Sequence, residues 1–116
     1  CSGSGTVRRD VDNLIQLNGE RLNELVKTQY NLLKKGLIYT KKYGYIIYVT
    51  CSFLKDENEY LVERFAEEFK NSVRLIPLSE VLDRNILRYL PSNLYFKTSP
   101  KIADMDSFFG VIFQKL

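Results

Sequence analysis

Tyr45-Ile46-Ile47-Tyr48-Val49-Thr50-Cys51-Ser52 opens with six residues that are all β-branched or aromatic and that show no polar alternation. Such a run predicts a strand over 45–50 covered on both faces, as inside an α/β sheet. A helix is predicted immediately after Cys51. Asp56 is placed to cap it, and Glu59 completes a capping-box spacing three residues later. Leu61, Val62, Phe65 and Phe69 recur at the helical period and supply its buried stripe. A strand, a loop and a helix in this order are the unit of an α/β sheet. Open sheets of that kind carry their sites at the carboxyl ends of strands, where Cys51 stands. A thiol there is addressed by the positive end of the following helix, which favours a thiolate. A buried structural cysteine at a strand end is the competing reading.

Upstream, Leu22, Leu25, Val26, Tyr30, Leu33 and Leu37 fall at three- and four-residue steps, which predicts a helix over 19–37. Gly36 weakens its last turn, and Lys42-Tyr43-Gly44 turns the chain into the 45–50 strand. Downstream, 73–76 reads as a short strand and 79–87 as a short helix. A further strand is predicted over 94–98, stopped by Pro100. Phe108-Phe109-Gly110-Val111-Ile112-Phe113 is apolar enough to be a last strand inside the sheet, antiparallel to a neighbour, with 94–98 the expected partner.

The chain has 116 residues, enough for one domain or part of one. Seven Phe and eight Tyr can fill a core without Trp. No apolar run approaches the roughly 20 residues that span a bilayer, so no membrane partner is expected. The net charge of +3 admits anionic partners without requiring them. Lys34, Lys35, Lys41 and Lys42 cluster in sequence, and both an RNA contact and a solvated surface fit them.

With no histidine, Cys–His and Ser–His–Asp chemistry is excluded. Both cysteines lie in small polar settings, Cys1-Ser2-Gly3-Ser4-Gly5-Thr6-Val7-Arg8-Arg9 and Thr50-Cys51-Ser52. Sparse cysteine fits a reduced compartment. A Cys-x5-Arg phosphate cradle fails by one residue, since Val7 holds the sixth place after Cys1. A thiol redox pair lacks Cys-x-x-Cys, and two cysteines cannot close a zinc site.

The strings Cys-Ser-Gly-x-Gly-x-x-Arg-Arg and Tyr-x-Thr-Cys-Ser, separated by a helix and a strand, resemble the NOL1/NOP2/Sun (Fmu) family of RNA cytosine-C5 methyltransferases. Further similarities follow in order: Leu25-x-x-x-Gln29-x-x-Leu32-Leu33, Glu57-Asn58-Glu59, Thr98-Ser99-Pro100 and Asp106-x-Phe108-Phe109. The family's Asp-Gly-Phe-Phe reads Asp106-Ser107-Phe108-Phe109 here, and its Pro-Gly-Gly turn is reduced to Lys42-Tyr43-Gly44.

The resemblance implies the C-terminal half of a Rossmann-like class I S-adenosylmethionine-dependent methyltransferase sheet, with an antiparallel last strand and the cofactor-binding half upstream of residue 1. It implies Cys51 as the nucleophile that adds to cytosine C6, and Cys1 as the thiol that assists product release. The acid that polarises the base near N3 would be an upstream aspartate. Arg8 and Arg9 would meet RNA phosphates, or hold their loop by ion pairs. S-adenosyl-L-methionine is the implied cofactor, ribosomal or transfer RNA the implied partner, and the cytoplasm (the nucleolus in a eukaryote) the implied location. The strand over 45–50 is expected to be central and parallel to a strand ending just before Cys1. This chain alone is expected to bind the cofactor weakly or not at all, to be inactive, and to self-associate through an open sheet edge. A degenerate, non-catalytic interaction module with the same fold is the alternative function.

Overall fold

The computed structural model describes residues 1–101 and 104–116. A 3-10 turn at Ser4–Thr6 and a short helix α1, Asp12–Ile15, precede the long helix α2, Gly19–Tyr39. Asn18 caps α2 by accepting from the Arg21 amide. The helix passes through Gly36 and ends two residues beyond the expected point. Lys115 Nζ donates to the carbonyls of Leu37 and Thr40, supplying a cation and two hydrogen bonds where the helix leaves acceptors free.

Four strands follow from the apolar runs: β1 Tyr45–Thr50, β2 Val73–Leu75, β3 Phe96–Lys97 and β4 Phe109–Lys115. β4 lies between β1 and β2 and is antiparallel to both, so β1 and β2 run parallel to each other. The last strand is therefore antiparallel, as expected. Its main partner is β1, in register from Thr50↔Phe109 to Tyr45↔Gln114, rather than the 94–98 segment. Of that segment only Phe96 and Lys97 pair with β4.

Helix α3, Glu59–Glu68, starts later than the capping-box spacing suggested, and Asn58 rather than Asp56 precedes it. Residues 55–58 form turns instead. The 79–87 segment is two pieces, a 3-10 turn at Leu78–Glu80 and a short helix α4, Arg84–Leu87, whose Asp83 accepts from the Asn85 amide. That local cap restarts the chain and prevents one continuous helix.

α2 and α3 cover the same face of the sheet. Tyr30, Leu33 and Leu37 of α2, Leu61, Val62 and Phe65 of α3, and Ile46, Phe109, Val111 and Phe113 of the strands form one core. Phe65 is fully buried, edge-on to Phe113 at 5.2 Å and to Tyr30 at 6.1 Å between ring centroids.

Within this chain residues 45–50 are covered on one face only, and the parallel neighbour that would make the strand central is the one expected to end just before Cys1. Ile46 and Thr50 are buried, whereas Tyr45, Ile47 and Val49 are 59–67% exposed. Both helices sit on one side, and β1 is hydrogen-bonded to β4 alone. The outer face and one edge of β1 are open among the described residues.

Candidate active site

β1 carries Cys51 at its carboxyl end, and the sheet's last strand brings residues 104–108 to the same end, since Thr50 faces Phe109. The first five residues fold down between them. Gly3 takes φ 71°, a left-handed turn suited to glycine, and leads into the Ser4–Thr6 turn. Gly5 then fits where no side chain can. Its amide donates to Cys51 O (2.9 Å), its carbonyl accepts from Ser107 N (3.0 Å), and an added Cβ would lie 2.3 Å from Ser107 O.

This seam places the Cys1 and Cys51 sulfurs 3.1 Å apart, a contact in which either thiol can donate. Both cysteines are free. They open onto a groove of about 600 Å3 between α2 and β1 that is also lined by Gln29, Thr50, Ile47 and the partly exposed Phe108. The two sulfurs thus share one cavity. α3 begins at Glu59, eight residues past Cys51 in the chain, so the thiol does not directly precede the helix and the dipole argument does not apply to it.

Beneath the thiols lies a buried polar network that the sequence reading did not assign. Glu57 has no exposed surface. Its Oε1 accepts from Ser2 N (2.7 Å) and Gln29 Nε2 (2.8 Å), and its Oε2 from Ser2 Oγ (2.6 Å) and Ser52 Oγ (2.5 Å). Burial alone would raise the Glu57 pKa. The hydrogen bonds from Ser2, Ser52 and Gln29 outweigh it and hold the carboxyl below its ordinary value. Ser4 Oγ lies 2.9 Å from Ser52 Oγ, and Asn58 links Thr50 Oγ1 (2.6 Å) to the Ser52 carbonyl (2.8 Å). Tyr48 donates to the Glu57 carbonyl at 2.7 Å, and its phenol pKa is pushed up by burial and then by the Glu57 charge. The available signal was a serine directly after each cysteine, together with the Gln29 and Glu57 positions already singled out.

Arg8 and Arg9 lie off the groove. Arg8 pairs with Asp104 (2.7 Å) and Arg9 with the buried Asp106 (3.2 Å), tying the first loop to the 104–107 segment. Lys34, one of the basic cluster, pairs with Glu68 at 2.7 Å and covers the Tyr30 and Phe69 rings. Among the described residues no group of three His, Cys, Asp or Glu could hold a metal ion, and no helix is long and apolar enough to cross a membrane.

The mixed sheet with its antiparallel last strand between two parallel ones, helices on one face and a dithiol at a strand end matches the part of a class I methyltransferase sheet that the resemblance implied. Residues 1–114 match the family described as 16S rRNA methyltransferase RsmB/F, and the chain belongs to it. It is 30% identical over 109 residues to ribosomal RNA small subunit methyltransferase F of Aliivibrio salmonicida (strain LFI1238), covering 94% of this chain and 23% of that protein. The protein of the same description from Vibrio vulnificus (strain YJ016) is 28% identical over 116 residues, covering 100% of this chain and 24% of that one. The crystal structure of PH0851 superposes with a TM-score of 0.81 at 26% identity, over 99% of this chain and 25% of its own. That of a methyltransferase homolog protein from Pyrococcus horikoshii gives 0.72 at 26% identity, over 100% and 36%. The chain spans about a quarter of the length of the curated relatives.

S-adenosylmethionine, which this fold class implies, needs a strand-end carboxylate for its ribose and an open glycine turn. The groove lining carries no carboxylate, and Gly5 is packed against two backbone carbonyls. The residues described here do not form a cofactor cradle.

Proposed function

We propose that this chain is the C-terminal portion of a methyltransferase catalytic domain, and that it carries the two working thiols of an enzyme that methylates cytosine C5 in RNA. The relatives' name favours ribosomal RNA of the small subunit over transfer RNA. The bacterial origin of the relatives and a ribosomal substrate support a cytoplasmic location. The observation that carries the reading is the 3.1 Å pairing of Cys1 with Cys51 at the mouth of one groove.

Cytosine C5 is a poor nucleophile. A Cys51 thiolate adding at C6 forms a C–S bond and moves an electron pair toward C5, which becomes enamine-like. In the family the methyl group would come from S-adenosyl-L-methionine, and no residue of this chain is assigned to hold it. Once C5 is methylated, loss of its proton and cleavage of the C6–S bond restore the aromatic base and return the Cys51 thiolate. Cys1, in contact with Cys51, assists that elimination. Arg8 and Arg9 keep the Cys1 loop in place through Asp104 and Asp106. The half-exposed Arg8 and the well-exposed Arg9 retain surface for RNA phosphates as well. Alone, this chain is expected to be inactive and to self-associate at the open edge of β1.

The test is Cys51→Ala in the longer enzyme carrying this segment. Methyl transfer to cytosine-containing RNA falls to background if Cys51 is the nucleophile. Activity retained in that variant rejects the reading in favour of a non-catalytic role for the site.

A further inference from the structure

Glu57 is no part of the groove lining and reaches no solvent, yet both cysteine segments converge on it. Ser2 is bound to it twice, through its amide and its hydroxyl, which fixes the backbone and the rotamer of the residue next to Cys1. Ser52, next to Cys51, donates its hydroxyl to Oε2 and accepts from Leu54 N (3.0 Å), which fixes the bend after β1. Gln29 from α2 and Tyr48 from β1 anchor Glu57 itself to the core. We propose that Glu57 is the positioning residue of the dithiol: its carboxylate holds Ser2 and Ser52, and through them keeps Cys1 and Cys51 at contact distance. The role in catalysis rests on the reading of the two cysteines as the working thiols. The geometric claim stands apart from it.

The chemistry calls for a carboxylate. Four donors converge, two on each oxygen, and only an ionised carboxyl accepts on both sides. An amide at this position turns one NH2 toward two donors. A second link, Gly5 N to Cys51 O, joins the same two segments without Glu57, so the proposal is not guaranteed by the fold.

The experiment uses the longer enzyme carrying this segment with mixtures of reduced and oxidised glutathione, and needs neither RNA nor methyl donor. Cys1 and Cys51 together lose two protons and two electrons to one oxidised glutathione. The products are the intramolecular disulfide and two reduced glutathiones. The equilibrium constant, read by mass spectrometry after alkylation, gives the effective concentration of one thiol at the other. Glu57→Gln lowers it by about tenfold or more, and Ser2→Ala and Ser52→Ala each lower it severalfold. Glu59→Gln removes a neighbouring carboxylate that pairs with Lys97 and touches neither serine, and leaves the constant within about twofold. An unchanged constant in a Glu57→Gln protein with native near-ultraviolet circular dichroism overturns the proposal. So does an equal fall in Glu59→Gln. If Glu57→Gln does not fold, the serine variants decide: a fall in both supports the proposal, and an unchanged constant in either overturns it. Loss of the positioning claim leaves the methyl-transfer reading intact, and the Cys51→Ala assay fails independently of this one.

Discussion

Gly5→Ala adds a single methyl group where three segments meet, and the geometry sets the size of the effect. The new Cβ falls 2.3 Å from the Ser107 carbonyl oxygen and 2.8 Å from that of Cys51. Ordinary carbon–oxygen contacts are about 3.3 Å or longer, so the backbone must move by about 1 Å. The same backbone holds both neighbours through Gly5 N to Cys51 O at 2.9 Å and Ser107 N to Gly5 O at 3.0 Å. A shift of that size breaks both bonds in a region where Gly5 and Ser107 are buried. Each unsatisfied group costs about 1–3 kcal/mol, against about 0.4–1 kcal/mol gained from a stiffer unfolded chain. The expected loss is about 2–4 kcal/mol, and Tm falls by about 8–16 °C in a domain of this size. Thermal unfolding followed by circular dichroism measures it. Gly19→Ala is the control, because nothing lies within 4 Å of the added Cβ at the start of α2. A Gly5→Ala shift no larger than that of Gly19→Ala would refute the argument that this seam is closed by a missing side chain.

Glu57 also predicts an acid limb of stability. Its folded carboxyl lies below the ordinary 4.5, so the unfolded chain binds that proton more readily. The contribution is complete above the unfolded value and is lost as pH falls through the folded one. Urea midpoints measured between about pH 5.5 and pH 3 fall less steeply for Glu57→Gln than for the wild type, and parallel slopes would contradict this. In the core, Phe65→Ala removes a fully buried ring that packs on Phe113, Phe69 and Tyr30. Urea unfolding should show a loss of about 3–5 kcal/mol, and a loss under about 1.5 kcal/mol would mean that the core closes over the gap.

Composition and periodicity located α2, β1, the buried stripe of α3 and β4 because those signals are local. Burial at 45, 47 and 49 was not decided by residue type. Tyr45, Ile47 and Val49 are suited to a covered face, but α2 and α3 both pack on the opposite side. Asp56 looked like a cap on spacing alone. In the structure the chain between Cys51 and Glu59 is committed to the Glu57 and Asn58 hydrogen bonds, and the helix begins after them. The cysteines stood out because each lies in a small polar setting, and their joint role was implied by the family resemblance. Their support was not readable, because Glu57 meets Ser2 across 55 positions and Arg8 meets Asp104 across 96. Contacts between segments so far apart leave no periodic trace.

The central claim is that Cys51 is the nucleophile and Cys1 the residue that lets the product go. Cys1→Ala in the longer enzyme, incubated with substrate RNA and methyl donor, tests both parts in one measurement. The account predicts a protein–RNA species that survives denaturing electrophoresis, with mass spectrometry placing the RNA on the peptide that contains Cys51. Normal turnover without a trapped species, or an adduct on any residue other than Cys51, would contradict it.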